Sequence, residues 1–259
     1  MSRRYPFILS CLSIAHLSRR NPAVVAWWSA AFPGFGHMLL NMHIKGNILF
    51  LFEIIINLNS HLNLATVYTF SGEFERAKSI LDPRWALIYI PFYFFCIFDS
   101  YRSANDVNQL CTLTDQMPVT KPVFEMKPFD LSYLDCRTPM TALLWSLFLP
   151  GTGQLYCRRT LTAFFLLIWA LVITYFSHGM DSFQYLLLGD IRKSTAILDM
   201  EWVLFIPSLN FGAAYDAYYG TLCHNKLFVR EQIDYLRREW PIKQAHSFFL
   251  KKKVNGEYS

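Results

Sequence analysis

The stretch GNILFLFEIIINLNSH places a single acid, Glu53, in the middle of an otherwise apolar run. At helical spacing Asn57, Ser60 and His61 follow at i+4, i+7 and i+8, so the polar groups share one stripe of a helix. An ionised carboxylate at the centre of a bilayer costs about 2.5 to 3.5 kcal/mol on insertion scales, which makes Glu53 a candidate for function as well as for helix-to-helix contact. Together with Asn57, His61 and the later His178, it could form a proton or cation site. The alternative is a protonated or paired acid that only joins helices. A later run keeps Thr174, Ser177 and His178 but has Ala170 in place of the acid, so a site built from two equivalent acids is excluded.

Neither histidine is accompanied by further ligands at metal-binding spacing, and both fall at segment ends, where interfacial hydrogen bonding is the simpler role. No nucleophile elbow, zinc-protease, P-loop or dinucleotide motif occurs. No catalytic residue, cofactor or metal is therefore assigned, and the chain is not expected to be an enzyme. Two further acids, Asp99 and Asp216, close the third apolar segment of each half. They are read as helix-end caps or as partners of basic neighbours such as Arg158 and Arg159.

The elements that carry these residues are apolar. Of 259 residues 53% are hydrophobic, 17% aromatic and 17% charged, a composition that suits lipid better than a soluble domain. Six apolar windows, approximately 22–40, 46–60, 84–99, 139–157, 160–178 and 202–220, approach the ~20 residues that a helix needs to cross the hydrocarbon core. The first 20 residues lack a small-residue cleavage site after their apolar part and are expected to be a basic interfacial segment rather than a cleaved signal. Six cysteines show no CxxC spacing and are read as reduced, structural thiols.

The net charge of +5 is concentrated at the ends: 8 of the 24 Lys and Arg residues follow residue 220 and 4 precede residue 21. This is the positive-inside pattern, with both termini cytoplasmic in a plasma membrane. It argues for the lipid bilayer, not nucleic acid, as the surface met by the basic tail 219–259, where "NKLFVREQIDYLRREW" has the pattern of an amphipathic helix and "FFLKKKVNG" could meet anionic headgroups.

Shifting the chain by 117 lays residues 21–101 on 138–218 without a gap, and 20 of the 81 aligned positions are identical. Composition alone would give about 5 to 8. Pro33-Gly34-x-Gly36 meets Pro150-Gly151-x-Gly153, Ser60-His61 meets Ser177-His178, and Asp99-x-Tyr101 meets Asp216-x-Tyr218. Each unit is expected to contain an apolar helix kinked at PGxG, a second helix ending in Ser-His, a polar-to-amphipathic loop of about 24 residues, and a third helix, with a polar connector at 102–137 between the units. Ser29, Pro33 and Gly36, like Ser146, Pro150 and Gly153, fall at i, i+4 and i+7. A kinked helix would carry them as one face of small residues against which another backbone can pack.

On Gly34, Gly36, Gly46, Trp85 and Asp99, and on Gly151, Gly153, Gln154, Tyr156, Trp202 and Asp216, each unit resembles the small two-transmembrane-helix domain family and related bacterial membrane domains of PGxGQ type. The resemblance implies a bacterial integral membrane protein without general enzymatic activity. The fold expected is thus an all-α integral membrane protein, in which two pseudo-symmetric three-helix repeats form a six-helix membrane-embedded bundle. Its role is read as a non-catalytic scaffold that associates with a membrane or cytoplasmic protein partner or as a homo-oligomer. The alternative is a small transporter or channel with its site between the two PGxG breaks. Three spans per unit would invert the second unit; two would keep the units parallel, and the Lys and Arg distribution favours neither.

Overall fold

The computed structural model describes residues 7–9, 14–16, 18–115, 124–127, 130–133 and 135–239. The fold is all-α apart from two short antiparallel hairpins: β1 (Phe7–Leu9) with β2 (Ile14–His16), and β3 (Phe124–Lys127) with β4 (Asp130–Tyr133). Trp240 and the "FFLKKKVNG" run lie outside the described residues.

The first half begins with α1 (Pro22–Ala31), started by Pro22 in the first turn, where its missing N–H costs nothing, and by Asn21, whose side chain accepts from Ala23 N. Phe32 precedes a proline and is extended, as that position favours, and Gly34 takes φ +92°. Then come α2 (Phe35–Leu39), α3 (His43–Ser60), α4 (Leu62–Phe70), α5 (Phe74–Ile80) and α6 (Pro83–Asp115).

The second half runs α7 (Pro139–Phe148), α8 (Thr152–Tyr156), α9 (Thr160–Phe176), α10 (Gly179–Leu187), α11 (Ile191–Ala196), α12 (Met200–Val203) and α13 (Phe205–Glu239). Its first five breaks fall about 117 residues after those of the first, and a sixth, between α12 and α13, has no counterpart in continuous α6. Left-handed backbone occurs at Gly34 and Gly151, Asn41 and Arg158, His61 and His178, Gly72 and Gly189. The Ser60 carbonyl accepts from Asp82 N at 3.1 Å, and the Ser177 carbonyl from Asp199 N at 3.2 Å.

Two expectations are corrected here. The PGxG motif does not kink one helix; it folds the chain back. A Cβ added at Gly36 would lie 2.5 Å from the carbonyl oxygen of Val25, although 11 residues of continuous helix would separate the two by ~16 Å. The extended Phe32 followed by left-handed Gly34 reverses the direction, so Gly36 lands on Val25 and Ser29 of the preceding helix. The expected 24-residue loop is also helical, as α4 and α5 and again as α10 and α11. In α4 the hydroxyls of Thr66 and Thr69 donate to the carbonyls of Leu62 and Ala65, which satisfies them within the helix.

Among the described residues no single helix is long and apolar enough to cross a membrane. Three pairs meet that test only when joined across bends: α3 with α4 (63°), α5 with the first part of α6 (90°), and α9 with α10 (65°). The main core is shared by both halves: Phe32, Phe35, Phe50 and Ile54 meet Leu166, Ile173, Phe205 and Leu209. Phe50 stands between Phe32 at 4.0 Å and Trp169 at 4.5 Å, and the Phe35 ring lies against Gly212, where a Cβ would be 2.7 Å from the ring.

Candidate functional site

The residue after each PGxG motif is the one sequence reasoning left without a role, and it reaches Asp99 or Asp216, which do not cap helix ends as expected but lie inside α6 and α13, because each third helix continues well past its acid. His37 Nε2 lies 2.6 Å from Asp99 Oδ2, which also meets Lys45 Nζ at 2.5 Å. In the second half Gln154, the counterpart of His37, donates from Nε2 to Asp216 Oδ2 at 3.2 Å and to the Ala213 carbonyl at 2.8 Å. Arg159 Nη1 reaches Asp216 Oδ2 at 2.7 Å, and Arg20 Nη2 stands 3.5 Å from Oδ1. Thus Asp216 does meet Arg159, one of the two arginines expected of it.

These centres depend on the fold-back. Left-handed Gly34 and Gly151 start the short helices that aim residues 37 and 154 at the third segment. A Cβ at Gly151 would lie 2.6 Å from the Ala163 carbonyl oxygen, and one at Gly34 would lie 2.9 Å from Phe50 N. The interior of both PGxG turns is therefore filled by backbone. Side chains add to the backbone bonds at the breaks: Thr152 Oγ1 stands within reach of the carbonyls of both Trp145 and Leu149, either of which can take its one proton, and Tyr93 donates to the carbonyl of Ala30.

The second candidate group divides. Glu53 is buried, and its Oε1 accepts from Asn57 Nδ2 at 3.2 Å and from the Tyr89 hydroxyl at 3.1 Å. Its Oε2 is buried with no hydrogen-bond partner among the described residues. Asn57 Oδ1 accepts from Asn63 N, and Ser60 donates to the Asn57 carbonyl. The histidines are elsewhere. His61, left-handed at the α3–α4 break, pairs with Glu201 of the other half, whose carbonyl also accepts from Asn63 Nδ2 at 2.7 Å. His178 pairs with Asp181 three residues on, at 3.3 Å. Neither histidine contacts Glu53.

No family model, no curated protein and no solved structure matches the chain. The site must be read from its own residues. Among the described residues no three His, Cys, Asp or Glu side chains converge in a way that could hold a metal ion.

The structure carries the correspondence between the halves beyond the aligned range. Arg20 N donates to Asn108 Oδ1 at 3.0 Å and Asn108 Nδ2 returns to the Arg20 carbonyl at 2.8 Å. Arg137 and Asn225, 117 residues later, make the same reciprocal pair at 2.9 and 2.7 Å. Extending the 117-residue shift by one position backward and seven forward would have found both clamps.

Proposed function

We infer that this chain is a multi-pass membrane protein built from two copies of a three-segment unit, acting as a non-catalytic scaffold that associates with a membrane or cytoplasmic protein or with a second copy of itself. The observation that carries the membrane reading is the distribution of polarity. Large apolar side chains such as Leu87, Phe94, Phe98, Phe164, Leu171 and Leu187 are exposed, whereas Arg20, His37, Glu53, Gln154, Arg159 and Asp216 are buried. Water favours the reverse, and exposed apolar surface on this scale marks contact with lipid or protein. The 117-residue recurrence of turns, left-handed residues and clamps supports the duplicated unit. The filled PGxG turns support packing over ligand binding.

The first test is fractionation: the full chain should stay with membranes through alkaline carbonate and salt washes. Release by either wash would count against the reading. Exposed Cys136 in the connector provides the orientation test. Labelling of whole cells by an impermeant maleimide would place the connector outside and the units inverted; protection would place them parallel.

The unpartnered Glu53 Oε2 favours a second reading, a small transporter or channel that moves a proton or cation past Glu53. A proton or cation flux through reconstituted protein that Glu53→Gln abolishes would support it. Absence of flux in a stably reconstituted chain leaves the scaffold reading.

A further inference from the structure

The interface between the halves runs one way. The first half brings α1 to α3 and the second brings α9, α12 and α13: Phe32 meets Phe205 at 5.5 Å, Trp28 meets Tyr215 at 5.3 Å, Trp169 donates from Nε1 to Asn47 Oδ1 at 2.9 Å, and His61 pairs with Glu201. In a two-fold interface each contact would occur twice, with the residues exchanged between the halves. The residues so exchanged are exposed instead. Leu149 and Ile88, the counterparts of buried Phe32 and Phe205, are 38% and 54% exposed, and Trp145 and Phe98, the counterparts of Trp28 and Tyr215, are exposed as well. The second half therefore keeps an open version of the face that the first half buries, and the first half keeps an open version of its complement.

Contact with lipid alone leaves both members of a repeat-related pair exposed, as at Phe94 and Phe211. At the open faces two replacements are instead coordinated across the missing contact. Asn47 and Trp169, hydrogen-bonded to each other, become Phe164 and Phe52, so a polar pair is exchanged for an aromatic one on both sides at once. Glu201 becomes Arg84, and Asp181, 3.3 Å from His178 where the first half has Leu64, places an acid on the opposite face. The charges are reversed and remain complementary. Thr141, Leu144, Trp145 and Phe148 line an open hollow of about 590 Å³, with room for the Phe98 ring beside Trp145 as Tyr215 lies beside Trp28.

We propose that copies of this chain associate head to tail, with Arg84, Ile88 and Phe98 of one copy against Asp181, Leu149 and Trp145 of the next, in the relation that already joins the two halves within a chain. Repeated, such a contact gives a ring where the rotation closes and an open row of copies where it does not. This contact deepens the scaffold reading given above, and rests on it, by making the partner a second copy.

Self-association of the full chain in phosphatidylcholine vesicles is followed by energy transfer between donor- and acceptor-tagged copies over a range of protein-to-lipid ratios. Phe98→Ala and Trp145→Ala, on opposite faces, should each raise the ratio needed for half association roughly thirtyfold, as truncation of a buried aromatic anchor does, while Phe94→Ala matches the parent. Arg84→Glu and Asp181→Arg should each weaken association by up to about fivefold, and an equimolar mixture of the two should recover it, because the exchanged charges meet across the contact. The mixture reads the contact even where an aromatic variant does not fold. Loss in only one of the two aromatic variants, an equal loss in Phe94→Ala, no recovery in the mixture, or a parent that stays monomeric at every ratio overturns the proposal. A monomeric parent that binds a different protein keeps the scaffold reading while the head-to-tail contact fails. If the parent does not enter vesicles the membrane reading fails, and sedimentation of the same variants in buffer decides the contact.

Discussion

Asp99 and Asp216 occupy equivalent positions in the two halves, yet their surroundings differ in what they hold together. Asp99 is 15% exposed and takes its partners, His37 and Lys45, from its own half; Lys45 is 44% exposed. Asp216 is 2% exposed and takes Gln154 and Arg159 from its own half but Arg20 from before the first unit. Arg159 also donates from Nη2 to Asn41 Oδ1 at 3.2 Å, across the boundary between halves. One unit thus has a local, partly solvated ion pair, and the other a buried centre that ties the halves together. A conserved backbone frame has been given two different jobs by changing the residues around a single acid.

The largest expected effect would break that comparison at its stronger side. Asp216→Asn leaves the Arg159 and Arg20 guanidiniums buried beside a neutral amide, and removing one partner of a buried pair costs about 3 to 5 kcal/mol. Asp99→Asn should cost roughly 1 kcal/mol or less, because Lys45 keeps much of its hydration. Unfolding of the two variants in detergent, followed by helical circular dichroism against denaturant, checks the ranking. Equal losses would mean that the two centres are not different in kind.

The glycines give the next effect. A Cβ at Gly153 would meet the Ala142 carbonyl oxygen and lie 2.8 Å from Ser146 Cβ, and one at Gly36 would meet Val25, so Gly153→Ala and Gly36→Ala should each cost about 3 kcal/mol by overpacking. Gly72 and Gly189 have open space around them and differ only in needing φ of +81°, so alanine there should cost about 1 to 2 kcal/mol. Because both pairs are repeat-related, each substitution has an internal control in the other half. Thermal unfolding midpoints should group by pair rather than by half.

The sites of the PGxG breaks were legible in the sequence because their requirements are local, but the reversal there was not, since Ser29, Pro33 and Gly36 at i, i+4 and i+7 read equally as one kinked helix. Proline lacks a donor, its predecessor is pushed to extended backbone, and a glycine that follows can take positive φ; three consecutive residues fix the break. Asn57 was legible as the partner of Glu53 because helical spacing brings it there. The partners of Asp216 were legible only in part: Arg159 belongs to the same unit, but Arg20 is joined to the acid by folding alone, as Glu201 is to His61 and Tyr89 to Glu53. The helix α4 was hidden for another reason. Apolar and hydroxyl residues are distributed around α4 without a clear stripe, and its threonines bond back to their own helix, so the composition reads as a connector.

A smaller effect would sharpen the picture of how the halves meet. His61→Gln removes a pair with Glu201 whose histidine is 47% exposed. The Asn63-to-Glu201 bond remains, so the loss should be about 0.2 to 1 kcal/mol, diminishing with added salt. A loss of several kcal/mol, insensitive to salt, would make this contact a second tie comparable with Asp216.

The last effect is confined to acid and concerns the two ends of the long third-segment helices. His224 on α13 is 3% exposed and stands where the first half has buried Val107. Burial lowers the His224 pKa from 6.5; Asp135, 3.7 Å away, opposes the shift and nearby Arg137 reinforces it. Since the folded pKa lies below the unfolded one, the unfolded chain binds more protons between the two, so stability is full above pH ~6.5 and is lost as pH falls through the folded value. His224→Val copies the first half's residue into the second. It should leave stability near neutral pH within roughly 1 kcal/mol, as a volume-similar apolar exchange allows, and should flatten the decline below pH ~6.5. If the variant declines with acid as steeply as the parent, the acid sensitivity belongs to carboxylates elsewhere and the divergence at this position is one of packing alone.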